Sequence, residues 1–197
     1  MTRHWLGRWM LHIDPMAFAW FASLPNFITI GRLLLTPVAV DMILRQNWRA
    51  AFWVFVAAAV SDALDGWLAR SFNLRSELGA LLDALADKAL IVSVYVSLAA
   101  MGALSSSLAI LVVSRDVMIV GAVSIAWQMG RAMRVRPILV SKATTLAQLL
   151  LAAFALGVRA FGLSLVLPAT APEAAVAALT VASASVYLWR WIRHMGT

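Results

Sequence analysis

Apolar residues run through this chain in long blocks, separated at short intervals by arginine, proline, glycine and asparagine. A helix that crosses a bilayer needs about 20 predominantly apolar residues. Six blocks meet that length, at approximately 26–45, 48–70, 77–101, 106–128, 138–160 and 172–192. The pattern predicts an all-α integral membrane protein, a six-transmembrane-helix bundle with short connections and a kink at Pro37. Residues 1–23 read differently. Arg3, His4, Arg8, His12 and Asp14 alternate with Trp5, Trp9, Met10, Leu11, Phe18 and Trp20, and Pro15 interrupts the run. That segment has neither the uninterrupted apolar region nor the small-residue cleavage site of a signal peptide, and is expected to lie on the membrane as an N-terminal interfacial amphipathic helix.

Composition supports the membrane setting. Of 197 residues, 63% are hydrophobic and 13% charged, and the mean hydropathy is +0.88; a soluble domain is roughly half apolar and about a quarter charged. No cysteine is present, which excludes a disulfide framework and a thiolate metal site. The net charge of +7 is spread over helix ends, a distribution that suits cytoplasmic loops and anionic lipid and not nucleic acid. Arg3, Arg8, Arg70, Arg75, Arg131, Arg134, Arg136, Lys142, Arg190 and Arg193 fall on one side, against Arg45, Arg49 and Arg159 on the other. The richer side is expected to be cytoplasmic, with both termini inside. Trp48, Trp67, Trp127, Trp189 and Trp191 then sit near helix ends, as an aromatic belt requires.

Four carboxylates stand out in this apolar background: Asp62, Asp65, Asp83 and Asp87. They belong to a D-x-x-D-G-x-x-A-R pattern followed, eight residues on, by G-x-x-x-D-x-x-x-D. Asp62, Asp65, Gly66 and Ala69 share one helical face, and Gly79, Asp83 and Asp87, four apart, share another. Asp62 precedes Arg70 by about 12 Å of helix, and Asp83 and Asp87 follow Glu77 by about 9 and 15 Å at the α-helical rise. All four therefore reach a similar depth in the cytoplasmic half. Two such stripes facing each other form an all-oxygen site for hard cations, Mg²⁺ or Mn²⁺, and two divalent ions balance four carboxylates. The alternative use of the acids is a structural ion-pair network with Arg32, Lys88 and Arg115.

The stretch resembles the signature of the CDP-alcohol phosphatidyltransferase family at Asp62, Asp65, Gly66, Ala69, Arg70, Gly79, Asp83 and Asp87. On that resemblance, residues 24–197 read as one six-helix domain of the family. The activity implied is transfer of the phosphatidyl group of CDP-diacylglycerol to an alcohol with release of CMP. Two metal ions would be bound by Asp62, Asp65, Asp83 and Asp87, with Asp87 also the general base. Gly66, Arg70 and Gly79 would hold the CDP moiety together with Asp62, Ala69, Asn26 and Thr29. A homodimer in a bacterial inner membrane belongs to the same expectation.

Three further stretches resemble the cardiolipin synthase and phosphatidylglycerophosphate synthase branches. They are Pro25-Asn26 with Thr29 and Arg32, Arg115-Asp116, and Pro137 with Ser141-Lys142, Thr145 and Gln148. They imply acceptor contacts from Arg32, Lys88, Arg115, Asp116, Lys142 and Thr145. The Arg-Asp pair and the single lysine at 142–144 lean towards phosphatidylglycerol as acceptor, hence cardiolipin; glycerol 3-phosphate is the alternative. Each also has a purely structural use: Pro25-Asn26 as a plain helix-start signal, Arg115-Asp116 as a self-paired unit, and the arginines at 131, 134 and 136 as topological charges. A transporter or proton pathway is the rival class, because intramembrane acids also mark ion routes. It is disfavoured by the clustering of the acids at one depth and by the absence of an internal repeat.

Overall fold

The computed structural model describes residues 15–71, 77–128, 139–163 and 170–195. They form six α-helices: α1 (Pro15–Leu44), α2 (Trp48–Ser71), α3 (Glu77–Ala100), α4 (Ser106–Gln128), α5 (Leu139–Phe161) and α6 (Thr170–Met195). The bounds of α2 to α5 fall within a residue of those read from the apolar blocks. The first helix differs. It starts at Pro15, so residues 15–23 continue into the helix that follows; residues 1–14 lie outside the described residues. Proline suits a first helical position, where its fixed φ is already correct and its missing N–H would have found no partner.

Pro37 does not end α1. Beside it the Thr36 hydroxyl donates to the Arg32 carbonyl at 3.0 Å, the kind of side-chain support that lets proline persist in an apolar helix. The helix ends are set by local chemistry. Asn47 caps α2 by accepting from the Ala50 N–H. Gly102 and Gly162, with φ of 63° and 62°, close α3 and α5 in the left-handed region that glycine enters without a Cβ penalty.

The six helices close into a ring. α1 packs on α2, α2 on α5, α5 on α6, α6 on α4, α4 on α3, and α3 back on α1. α1 therefore lies along both helices that carry the acidic motif.

The core fills one end of this ring. Ile43, Ala51, Phe55, Leu98, Leu104, Leu108, Leu156 and Val176 are all buried. Because successive helices alternate in direction, these positions share the end that carries the 45–47 and 101–105 turns. Towards the other end the buried residues become polar: Arg32, Arg115, Asp116, Thr144, Gln148, Thr180 and Ser183. Meanwhile Leu34, Trp53, Leu64, Ile110, Val117, Leu150 and Trp189 are exposed. Polar groups inside and large apolar side chains outside is the arrangement a hydrocarbon solvent favours. Among the described residues, two helices meet length and hydropathy criteria for a span, over Val140–Phe161 and Thr170–Arg193.

Tyr95 joins the two halves. Its ring is fully buried, and its hydroxyl donates to the Gln148 carbonyl at 2.9 Å, tying α3 to α5. Tyr95→Phe is expected to lower unfolding free energy by about 1 kcal/mol, the net worth of one such bond. A thermal melt in detergent checks this; an unchanged midpoint would show the bond to be dispensable.

Candidate metal and substrate site

Three helices converge on one charged cluster. α2 supplies Asp62, and α3 supplies Asp83 and Asp87, one turn apart on the same face. One carboxylate oxygen from each lies within 4.8 Å of the other two. α1 supplies Arg32, whose side chain is fully buried. Its Nη1 stands 2.9 Å from Asp62, 3.1 Å from Asp83 and 2.5 Å from Asp87, each through Oδ1. A single NH₂ group carries two protons, so three carboxylates around it exceed what it can donate to in full. The cluster is held by charge as much as by hydrogen bonding. Each acid side chain is about a third exposed, at 32, 38 and 36%, so the triad is buried on the arginine side and open on the other.

The donor set fits a divalent cation. All three ligand atoms are hard carboxylate oxygens, the type preferred by Mg²⁺ and Mn²⁺. They already converge on a cationic nitrogen, which marks the point where positive charge is accommodated. Arg32 offsets one of the three negative charges, leaving two, the charge of one such ion.

A second charged network adjoins the first. Lys88 follows Asp87 on α3 and turns to Asp116 on α4, Nζ to Oδ1 at 2.9 Å. Arg115 Nη1 reaches the same oxygen at 2.6 Å, and its Nη2 donates to Ser141 of α5 at 2.6 Å and to Ser183 of α6 at 3.0 Å. Further along, Gln148 Nε2 donates to Thr180 at 3.2 Å. The Thr144 hydroxyl lies against the carbonyls of Val140 and Leu179.

The residues expected from the sequence are thus distributed as follows. Asp62, Asp83 and Asp87 meet. Arg32, expected beside an acceptor, stands within the acid triad itself, because α1 lies along both α2 and α3. Lys88, Arg115 and Asp116 form one network; Arg115 and Asp116 are almost wholly buried in it, and Lys88 is its accessible member at 31% exposure. The ion pairs set beside the metal reading are therefore present along with the cation-ready triad. Thr145 is half-buried and its hydroxyl donates to the Ser141 carbonyl; Lys142 is exposed. Thr29 is buried and Gly79 half-buried. The side chains of Asn26, Asp65, Ala69 and Arg70, and the surroundings of Gly66, lie outside the described residues.

Sequence reasoning missed Thr180, Ser183 and Tyr187. Their signal was a spacing of three and four along α6 in a helix otherwise rich in alanine and valine, which places them on one face.

Comparison with known proteins agrees with the motif. Over residues 22–189 the chain matches the sequence profile of the CDP-alcohol phosphatidyltransferase family. It is 33% identical over 171 residues to human cardiolipin synthase (CMP-forming), covering 79% of this chain and 57% of that protein. It is 36% identical over 159 residues to a chloroplastic CDP-diacylglycerol–glycerol-3-phosphate 3-phosphatidyltransferase of Oryza sativa subsp. japonica, covering 72% and 48%. A probable phosphatidylglycerophosphate synthase of Mycobacterium tuberculosis is 33% identical over 101 residues, 48% of each chain. The chain spans about half the length of the curated relatives it matches. With a profile match over most of its length and an acidic motif that fits throughout, the chain belongs to the CDP-alcohol phosphatidyltransferase family.

Proposed function

We propose that this protein transfers the phosphatidyl group of CDP-diacylglycerol to the hydroxyl of an alcohol, releasing CMP, and that the alcohol is phosphatidylglycerol. The observation that carries the reading is the convergence of Asp62, Asp83 and Asp87 from two helices within 4.8 Å of one another. The family is membrane-embedded and takes a CDP-alcohol and an alcohol acceptor, which accords with the apolar exterior and the buried charge. All six helices cross the bilayer in this reading, with both termini and the site on the cytoplasmic side of a bacterial inner membrane. A homodimer is part of the same proposal.

Asp62, Asp65, Asp83 and Asp87 hold two Mg²⁺ or Mn²⁺ ions. When bound, such ions supply charge neutralisation for the diphosphate and the departing CMP, where catalysis of phosphoryl-type transfer chiefly lies. The chain's own groups do the rest. Asn26, Thr29, Gly66, Ala69, Arg70 and Gly79 bind and orient CDP. Arg32 fixes the carboxylates from the buried side. Asp87 accepts the proton of the acceptor hydroxyl as its oxygen bonds to the phosphatidyl phosphorus. The phosphoanhydride bond breaks and CMP leaves with the electron pair. Lys88, Arg115, Asp116, Lys142 and Thr145 receive the acceptor.

Glycerol 3-phosphate is the second reading of the acceptor, favoured by the exposure of Lys142, a cation accessible to a soluble phosphate. CMP release in mixed micelles tests both, with Mg²⁺, CDP-diacylglycerol and each acceptor offered separately. Release with phosphatidylglycerol alone is expected, and is expected to stop on chelation and return with excess Mg²⁺. Release with glycerol 3-phosphate alone would establish the second reading. Silence with both would overturn the two together.

A further inference from the structure

The end of the ring away from the acid triad holds a cavity of about 460 Å³ between α5, the first turn of α6 and the turn at 102–105, a size within the range of small-ligand pockets. Its wall on α5 is one helical stripe, Leu151, Phe154, Ala155, Val158 and Arg159, spaced three and four apart. The stripe runs about 12 Å along the helix at the α-helical rise, charged at its outer end and apolar below. Phe154 is 40% exposed, so the cavity is edged by the apolar exterior of the bundle. Two opposite charges stand at the outer end. Arg159 Nη2 donates to the Gly102 carbonyl at 2.8 Å, and its guanidinium lies 5.5 Å from the centre of the Trp48 ring. Glu173 Oε2 accepts from the Ser105 N–H at 3.2 Å. Carbonyl, ring and amide are all neutral, so these contacts fix both side chains without cancelling either charge. Neither residue enters an ion pair among the described residues. Both bond the same short turn, which holds a cation and an anion at the mouth of one cavity.

We propose that this cavity binds phosphatidylethanolamine, a phospholipid whose zwitterionic headgroup ends in a primary ammonium, in the leaflet opposite the acid triad. Arg159 takes the phosphodiester, Glu173 takes the ammonium, and the start of one acyl chain lies along Val158, Phe154 and Leu151. Charge complementarity selects this occupant. The two side chains sum to zero, as the headgroup does, whereas an anionic headgroup lacking an ammonium would leave Glu173 facing like charge. A choline headgroup has no N–H to donate to the carboxylate. A soluble zwitterion would leave the apolar stripe uncovered, while a lipid brings its own chain to it. Depth agrees with a headgroup. Arg159 and Glu173 lie in the last and first turns of their helices, where the polar region of a bilayer begins, and Trp48 beside them suits the same level. Remote from Asp87, the site is independent of which alcohol accepts the phosphatidyl group; it needs only that the helices span.

Native mass spectrometry supplies the test. The whole chain, purified in detergent and depleted of lipid, would be mixed with phosphatidylethanolamine, phosphatidylcholine or phosphatidylglycerol of identical acyl chains, and the bound lipid counted. Wild-type protein is expected to retain phosphatidylethanolamine about fivefold more than phosphatidylcholine, the scale of one exposed ion pair. Glu173→Gln keeps an oxygen for the Ser105 N–H and removes only the charge. It is expected to abolish that preference, while phosphatidylcholine binding stays at the wild-type level and reports an intact cavity. Arg159→Gln is expected to weaken retention of both lipids alike, since both carry the phosphodiester. Equal retention of phosphatidylethanolamine and phosphatidylcholine by the wild type would overturn the proposal, and that result needs no variant to fold. So would a preference that survives in Glu173→Gln. Loss of phosphatidylglycerol but not phosphatidylethanolamine on Arg159→Gln would also overturn it, since an anionic lipid would then be the occupant.

Discussion

Asp87→Asn is expected to abolish CMP release while the purified protein keeps its helical content and its elution volume. Asparagine has nearly the same shape, and its side-chain oxygen still accepts from Arg32, so the contact that anchors residue 87 survives. What is lost is a negative charge at the cation site and the capacity to take a proton. General base catalysis alone contributes about 10²–10⁴-fold, and loss of a metal ligand adds to that, so turnover is expected to fall by at least about three orders of magnitude. The measurement is CMP release with saturating Mg²⁺, beside circular dichroism of the same sample. Wild-type turnover in a folded variant would remove Asp87 from the chemistry.

Arg32→Leu has its largest effect on the fold. The guanidinium is fully buried and touches three carboxylates from two helices. Removing one partner of a buried charge set costs about 3–5 kcal/mol. The acids are about a third exposed and water moderates their repulsion, so about 2–3 kcal/mol is expected here. The variant should therefore melt earlier than wild type in detergent, and Mg²⁺ should raise its midpoint by more than it raises that of the wild type. A midpoint equal to wild type, indifferent to Mg²⁺, would show that neither the arginine nor the cation holds the cluster together.

The helices were legible because the apolar blocks are long and sharply bounded by charged and turn-forming residues. An apolar block of the required length is hard to mistake, and α2 to α5 begin and end where the blocks do. The triad was legible for a related reason: helical spacing fixes the face of each acid, and distance from the connecting loop fixes its depth. Arg32 was visible as a buried charge, but its place was not. Chain order shows that α2 and α3 are neighbours in sequence; it does not show that α1 lies along both, and that packing delivers its arginine to all three carboxylates. Ser183 and Tyr187 escaped for a different reason. One hydroxyl in a membrane helix is satisfied by its own backbone as readily as by a neighbour, as the Thr180 hydroxyl is by the Val176 carbonyl. Their shared face gained meaning only once Arg115 was seen opposite.

The division of the ring into an apolar end and a charged end has a consequence for its opening. Local exchange of backbone amides follows the density of apolar contacts around a segment. Amides of α3 near Val94 and Leu98, deep in the apolar end, should exchange only with global unfolding, whereas those of the same helix near Asp83 should exchange through smaller excursions. One helix would then serve as anchor at one end and as gate at the other. Substrate could part the charged end repeatedly without loosening the fold that keeps its carboxylates in register.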